Sequence, residues 1–469
     1  MRSGATVVWF RDDLRVADNP ALSAAVDRGA AVVAVYILDE VSPGFRPLGG
    51  ATKWWLHESL ASLAEDLAEL NIPLIFRRGA AGKVLHDVVT ESTARAVTWN
   101  RRYRAAEIAI DAELKARLRS DGVEVESFQA SLLFEPWEVS TSQGTPYSVF
   151  TPFWRACQNG LEPRHPMPVP SPIDKTVSAS AVEVACDSLD SWALQPSDPD
   201  WAQGLRDTWV PGEESAQLRL SAFLTDDLDA YAEGRNTPSD PVTSRLSPHV
   251  RFGELSPHQI WHEVARVRSG LTPAGANSAA RFLTELGWRE FAWHVLFHFP
   301  KLAERSWRAE YDAFPWPDLD RRALAAWQTG RTGVPLVDAG MRELWHTGTM
   351  HNRVRMVVAS FLTKNLLIDW REGEEWFWDT LVDADSASNP FNWQWVAGSG
   401  ADAAPYFRVF NPELQATKFD PKATYIRQHV PEWGTDEYPE PIVDLGESRR
   451  AALAAHKSLK QRTQEGTRS

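Results

Sequence analysis

Five short runs rich in β-branched residues punctuate the first 130 residues: Thr6 to Phe10, Ala31 to Leu38, Pro73 to Arg77, Ala96 to Asn100 and Val123 to Phe128. Helical patterns separate them, as a repeat of parallel strands needs, because each strand must be reached by a crossover. The clearest of these patterns runs from Trp54 to Leu70, where Leu56, Leu60, Leu63, Leu67 and Leu70 step by four and three and so line one face. Residues 1–132 are therefore expected to form an α/β domain with a parallel sheet. No GxGxxG and no P-loop follows any of the runs, so the usual backbone cradle for a dinucleotide or triphosphate is missing from this domain.

The texture then changes twice. From Glu135 to Gly212 the chain holds 11 of its 31 prolines among Ser, Asp and Glu, which predicts a long connector over 133–212 that wraps the surface. Beyond it, helical patterns start at Glu213, Ser256, Asn277, Asp338 and Met350 with hardly a strand-like run, so 213–445 reads as an all-α domain. Residues 446–469 are polar and charged, and a frayed tail is expected there.

Composition narrows the function classes. A chain of 469 residues with 43% hydrophobic content has length and apolar material for two or three real cores. No run of about 18 apolar residues and no signal-peptide core is present, so a cytoplasmic protein that does not span a membrane is expected. Cys157 and Cys186 are too few for a disulfide framework or a four-cysteine metal or iron–sulfur site, and both read as packing residues. The net charge of −14 excludes wholesale coating of nucleic acid but leaves room for one focused basic patch. Of 22 tryptophans, 13 fall between Trp261 and Trp433, and large aromatics are mostly core.

Four stretches carry chemistry. A helix with Leu220, Leu224, Leu228 and Tyr231 stops at Gly234 and is followed by Arg235 and by Thr243-Ser244-Arg245-Leu246-Ser247-Pro248. Three hydroxyls beside an arginine at a helix start suit a phosphate and suit an N-cap cluster equally well. In "TELGWREF", Glu285, Trp288 and Arg289 share a helix face, where Glu285 can pair with Arg289. His294 and His298 also share a face, but with no glutamate in the HExxH place and no third ligand, packing and not a metal is expected. In "MHNRVRM", Asn352 and Met356 lie on one face between Arg353 and Arg355, a pattern that fits a solvated helix or a surface reading a base with its phosphates. Finally, "DADSASNPFNWQWVAGSGADAAPYFRVFNP", residues 383–412, combines acids, amides and tryptophans with no nucleophile and no cysteine.

Taken together, "VVWFRDDLRVADNPAL", "TSRLSPHVRFGELSP", "GWREF", "MHNRVRM", "LLIDWREGEEWFWDTLVDADSASN" and "NWQWVAGSGADAAPYFRVFNP" resemble the photolyase/cryptochrome family, in order and from near the amino terminus to about residue 430. Within it the chain is similar to cyclobutane pyrimidine dimer photolyases of the class I and class III type. The resemblance implies the photolyase fold: a Rossmann-like antenna domain, a connector, and a helical domain holding FAD. It implies chemistry without a protein nucleophile, because an excited reduced flavin gives an electron to a dimer flipped out of ultraviolet-damaged DNA and takes it back.

Carried onto this chain, the resemblance gives Tyr231, Thr243, Ser244, Arg245, Leu246 and Ser247 to the flavin's phosphates and neighbouring parts, and Arg355, Asp383, Ala384 and Asp385 to its ring and ribitol region. Asn389 would face the flavin N5, where plant cryptochromes carry an aspartate. Trp393, Trp370 and Trp316 match the family's electron-carrying tryptophans. Trp288 and Trp395 would stack on the lesion, Glu285 would bond a thymine edge, Asn352 and Met356 would close the pocket, and Arg235, Arg289, Arg353 and Gln415 would hold the strand. A (6-4) photolyase has a histidine where this chain has Asn352. Two departures from the family stand out, Thr349 in place of an indole and Pro390 between Asn389 and Trp393. "LGGATKWWLHESL" and "WNRRYRAAEIAID" resemble antenna segments that bind methenyltetrahydrofolate, with deazaflavin binders sharing the fold. A cryptochrome-like photoreceptor is the runner-up, and a monomer with no metal is the family expectation.

Overall fold

The computed structural model describes residues 4–160, 162–178, 184–406 and 408–466. Its amino-terminal part is a five-stranded parallel sheet, β1 (Thr6–Phe10), β2 (Val32–Leu38), β3 (Leu74–Arg78), β4 (Ala96–Asn100) and β5 (Glu124–Phe128), in the order β3-β2-β1-β4-β5. Each strand falls within a residue of its expected bounds; β1, β2 and β4 are buried on nearly every residue, while the edge strands β3 and β5 are partly exposed. Helices Pro20–Asp27, Gly50–Glu69, Ala81–Glu91 and Ala105–Ser120 cover the sheet. The leucine stripe of Gly50–Glu69 packs on one face with Val8, Phe10 and Ala34, while Val7, Trp9 and Val97 face the other core.

That helix begins four residues before Trp54, where no side chain caps it. Its start is set from outside: the Gly50 N–H donates to Asp379 Oδ1 at 2.8 Å, and a Cβ on Gly49 would lie 2.2 Å from the Trp378 carbonyl oxygen. The α/β domain is thus docked, backbone to backbone, on the helical domain. Arg251 adds a second tie, reaching Asp12 Oδ1 at 2.7 Å.

The helical domain contains Glu213–Ala222, Pro257–Arg268, Pro273–His298, Pro335–Thr347, Asn352–Ser360, Trp370–Thr380, Ser388–Ala397 and Pro412–Phe419 among its elements. Pro257–Arg268 starts behind Ser256, as the sequence suggested, and Ser256 and Gln259 form a reciprocal cap there. The helix expected at Asn277 starts earlier, at Pro273 behind a Thr272 cap, and that expected at Met350 starts at Asn352 behind His351. Among the described residues no helix is long and apolar enough to cross a membrane.

Three expectations need correction. The connector is not merely a surface wrap: Phe150–Gly160 is a helix whose Phe150, Phe153, Trp154 and Cys157 are buried in the core of the helical domain. Those positions step by three, one and three, an apolar helix face that the prolines around it obscure. Nor is the described part of the carboxy-terminal stretch frayed, since Leu445–Gly466 is a helix with Ala452 and Leu459 buried against Tyr311, Phe314 and Tyr406, residues 467–469 of the expected tail lying outside the described residues. Cys157 is a packing residue, but Cys186 is exposed, its sulfur accepting the Phe76 N–H at 3.3 Å.

Candidate functional site

A hollow of about 500 Å³ opens in the helical domain, within the range of cofactor and ligand pockets. Ser244, Leu246 and Ser247 form one wall, at the start of the short helix Ser247–Phe252. Glu285, Trp288 and Arg289 come from Pro273–His298, and Asn352, Arg353, Arg355 and Met356 from Asn352–Ser360. Asp383, Ala384, Asp385, Asn389, Trp393 and Trp395 close it from the loop after Leu381 and from Ser388–Ala397. Residues spread over some 160 positions of sequence therefore share one cavity, with Arg235 at its edge.

The polar wall is pre-ordered. Arg355 donates to both carboxylate oxygens of Asp383, at 3.2 and 3.0 Å, and the Ser247 hydroxyl donates to Asp383 Oδ2 at 2.6 Å. Thr349, where the family carries an indole, accepts from Arg355 Nη2 at 3.3 Å, so the departure adds a hydroxyl to this network. Arg251 fastens the next residue of the loop, its Nε donating to the Ala384 carbonyl at 2.8 Å. Asp385 Oδ1 accepts the Ala387 N–H at 2.8 Å and so shapes the start of Ser388–Ala397. Pro390 falls in the first turn of that helix, where a missing N–H costs nothing.

Asn389 is buried, and its amide nitrogen donates twice to one residue: to the Glu374 carbonyl at 3.0 Å and to Glu374 Oε1 at 2.8 Å. With both amide hydrogens taken by acceptors, its carbonyl oxygen is the end left for the hollow. Burial pushes the Glu374 carboxyl above its usual range, and the guanidinium of Arg46 opposes that shift.

The aromatic wall is also built rather than incidental. Trp288 and Trp395 are half-buried, and both line the hollow. Phe150 stacks under Trp288 with centroids 3.8 Å apart and planes within 10°, and Trp154 continues the pile at 6.4 Å and 14°. Trp393 lies on the cavity wall with its indole N–H buried and unpartnered. A Cβ on Gly373 would come within 2.1 Å of the Trp393 ring, so only glycine lets Trp370–Thr380 pass this close. Trp370 is buried in the same core as Trp393, and Trp316 packs both on that core and on the Tyr311–Phe314–Tyr406 cluster.

Some residues lie apart from the hollow. Tyr231 and Thr243 do not line it, although Arg235 sits 5.2 Å over the Tyr231 ring. Arg245 stacks on Trp209 at 4.4 Å, and Gln415 is on Pro412–Phe419, outside the lining. The expected Glu285–Arg289 pair does not form. Glu285 instead binds Arg235 Nη1 at 2.6 Å, while Arg289 turns to the Ser131 carbonyl at 2.9 Å and to Glu290 at 3.3 Å. A shared helix face permitted the pairing, but both partners found better acceptors or donors across the tertiary fold. His294 accepts the Tyr147 N–H at 3.0 Å, and burial lowers it to about 4, a neutral packing histidine.

Phe150, Arg46, Glu374 and Arg251 escaped sequence reasoning: Phe150 and Arg46 stand outside every motif, and Glu374 and Arg251 stand inside two of them but act through tertiary contacts that the motifs do not display. A second, smaller hollow of about 90 Å³ lies over the ends of β1 and β2, and it is lined by Leu48, Arg101, Arg102, Arg104 and Glu107 from the two antenna-like segments. Arg251, Arg289 and Asp385 line both hollows.

A family model described as the FAD binding domain of DNA photolyase matches residues 282–435, and one described as DNA photolyase matches residues 6–172. A deoxyribodipyrimidine photo-lyase from Agrobacterium fabrum is 47% identical over 99% of this chain and 100% of its own length. Cryptochrome-1 of Arabidopsis thaliana is 36% identical over 98% of this chain and 70% of its own length. The crystal structure of a bacterial class III photolyase from Agrobacterium tumefaciens superposes with a TM-score of 0.93 at 47% identity, covering 98% of each chain.

Proposed function

The chain belongs to the photolyase/cryptochrome family, and we propose that it repairs cyclobutane pyrimidine dimers in ultraviolet-damaged DNA with the energy of blue light. The observation that carries this reading is the placement of two half-buried indoles, Trp288 and Trp395, on the wall of the same hollow that Asp383, Asp385 and Asn389 close. A flavin-only electron carrier has no use for such a wall.

The hollow suits FAD. Its volume is adequate, its hydroxyls at Ser244 and Ser247 suit a pyrophosphate, and the orphaned Trp393 N–H is a buried donor in need of an acceptor. When bound in its reduced form, FAD supplies the photoexcited electron that splits the dimer and receives it back. The protein's own part is to bind, orient and exclude water. Arg355 and Asp383 hold each other rigid for polar contacts to the ring and ribitol. Asn389 offers a carbonyl oxygen and no ready proton, which favours a stable reduced state.

For the lesion, Trp288 and Trp395 replace the stacking that a flipped dimer loses. Base–aromatic stacking is worth about 1–3 kcal/mol per base, of the same order as the few kcal/mol needed to extrude a damaged pair. Glu285, fixed by Arg235, is the acceptor for a thymine N–H, and Asn352 and Met356 close the pocket beside it. Arg235, Arg289, Arg353 and Gln415 hold the strand. Trp393, Trp370 and Trp316 form the route by which electrons reach the cofactor from the surface. Methenyltetrahydrofolate, in preference to deazaflavin, is the antenna we assign to the smaller hollow, whose free space requires side chains to move aside. Cytoplasmic location and a monomeric state belong to the same proposal.

Purified protein mixed with dimer-containing single-stranded and duplex DNA should restore intact thymines in blue light and not in darkness. Bound flavin without light-dependent repair would instead support the photoreceptor role of the cryptochrome relatives.

A further inference from the structure

Arg46 sits between β2 and the helix Gly50–Glu69, in the α/β domain, far in sequence from every residue of the flavin hollow. The loop that carries it is clamped to the helical domain: the Trp378 indole N–H donates to the Pro47 carbonyl at 2.8 Å, and Arg46 lies 4.3 Å over the Trp378 ring. From there its Nη1 reaches both oxygens of Glu374, at 2.8 and 2.9 Å. Glu374 Oε1 in turn accepts the Asn389 amide at 2.8 Å, and Asn389 lines the hollow. Three residues and two domains form one unbroken chain of contacts.

We propose that Arg46 is a positioning residue for the flavin hollow: by holding Glu374 as an acceptor on both oxygens, it fixes which end of the Asn389 amide faces the cofactor. This rests on the reading of the hollow as a flavin site. An ionised carboxylate can only accept, and so can the Glu374 carbonyl, so the two contacts together exclude an amide turned oxygen-first. A protonated Glu374 could donate to that oxygen instead, and one of the two contacts would then favour the turned amide. Burial drives Glu374 toward taking a proton, neighbouring Glu375 adds to that drive, and Arg46 is the charge that resists it. Arg46 therefore sets the choice between an acceptor and a donor at the cofactor, from across the domain boundary.

The test compares the full chain with R46Q, R46K and N389A. In flavin-free protein with ¹⁵N-labelled asparagine and ¹³C-labelled glutamate, the Glu374 carboxyl should titrate at least one unit higher in R46Q, a tenfold gain in proton affinity. The Asn389 side-chain amide should lose its protection from exchange over the same pH range, and R46K should restore both signals. In FAD-loaded protein, R46Q should make the flavin midpoint potential depend on pH over that range, and the effect of R46Q should vanish in the N389A background. An Asn389 amide signal in R46Q identical to that of the unaltered chain would overturn the proposal, as would an R46Q effect on the potential that survives N389A. A chain that holds no flavin overturns the functional reading, while the two NMR signals still decide whether Arg46 sets the amide.

Discussion

Phe150→Leu is the most discriminating single change outside the hollow, because Phe150 does not line the cavity itself but stacks on Trp288, which does. The two rings stack at 3.8 Å with planes 10° apart, and Trp154 lies nearly parallel to Phe150 at 6.4 Å. Such a pair is worth about 0.5–1.5 kcal/mol beyond the area it buries. Leucine keeps most of the volume of the buried site and should cost the fold less than about 1.5 kcal/mol. What it removes is the flat support that holds the indole ready for a base. If Trp288 stacks on the flipped dimer, that support is part of the binding energy, and affinity for dimer-containing single-stranded DNA should fall about two- to tenfold. Affinity for the same strand without a lesion should stay as it was, since Phe150 carries no charge. Trp288→Ala sets the scale, with an expected loss of about 1–3 kcal/mol for lesion DNA alone. Fluorescence anisotropy with both oligonucleotides at one salt concentration reads all of this. Equal losses on damaged and undamaged strands would refute the reasoning, and so would an unchanged lesion affinity in Phe150→Leu alongside a large loss in Trp288→Ala.

Asn389→Asp places a second carboxylate 2.8 Å from Glu374 Oε1, so the pair must share a proton; infrared spectroscopy should show a protonated acid at pH 7 that is absent from the unaltered chain. Lys364 is buried with its ammonium on the Arg408 carbonyl, and burial lowers it to about 7 from 10.5. The folded protein thus sheds a proton that the unfolded chain keeps, and stability should climb by about 2 kcal/mol between pH 7 and pH 9; denaturant titrations at the two pH values should show that climb flattened in Lys364→Met. Arg353→Gln should weaken DNA of any sequence alike and lower the salt slope of binding by about 1, and a lesion-specific loss would contradict that role.

The α/β domain was legible because its signal is local. Short β-branched runs and one leucine stripe specify strands and a helix without reference to anything distant. Phe150–Gly160 carried an equally good stripe, but 11 residues among prolines offer few turns in which to see it, and its partners lie more than a hundred residues away in Pro273–His298. Leu445–Gly466 failed for the opposite reason. It is mostly exposed and its helix is held by few buried positions, Ala452 and Leu459 among them, which no polar tail advertises. Within the site, the family resemblance supplied many of the cavity residues but also Tyr231, Thr243, Arg245 and Gln415, which lie apart from it, whereas the roles of Arg46 and Glu374 were invisible because a hydrogen bond between domains leaves no periodicity in either segment.

The arginines show the same limit most sharply. Counted along the chain, Arg235, Arg289, Arg353 and Arg355 suggest a strongly basic rim in a protein of net charge −14. In the fold, Arg235 is spent on Glu285, Arg289 on Glu290 and Arg355 on Asp383. Arg353 instead meets the neutral Asn236 Oδ1 at 2.6 Å and lies 4.6 Å over the Phe419 ring. A paired guanidinium attracts a phosphate only to the extent that its carboxylate is displaced, so the rim holds less free charge than its composition implies. An acidic protein with a mostly neutralised rim cannot select damaged DNA by charge, which in any case reads no sequence and no lesion. The selectivity then has to come from the hollow itself, and if Trp288 and Trp395 stack on the lesion as proposed, the stack beneath Trp288 should matter more to repair than any single arginine around it.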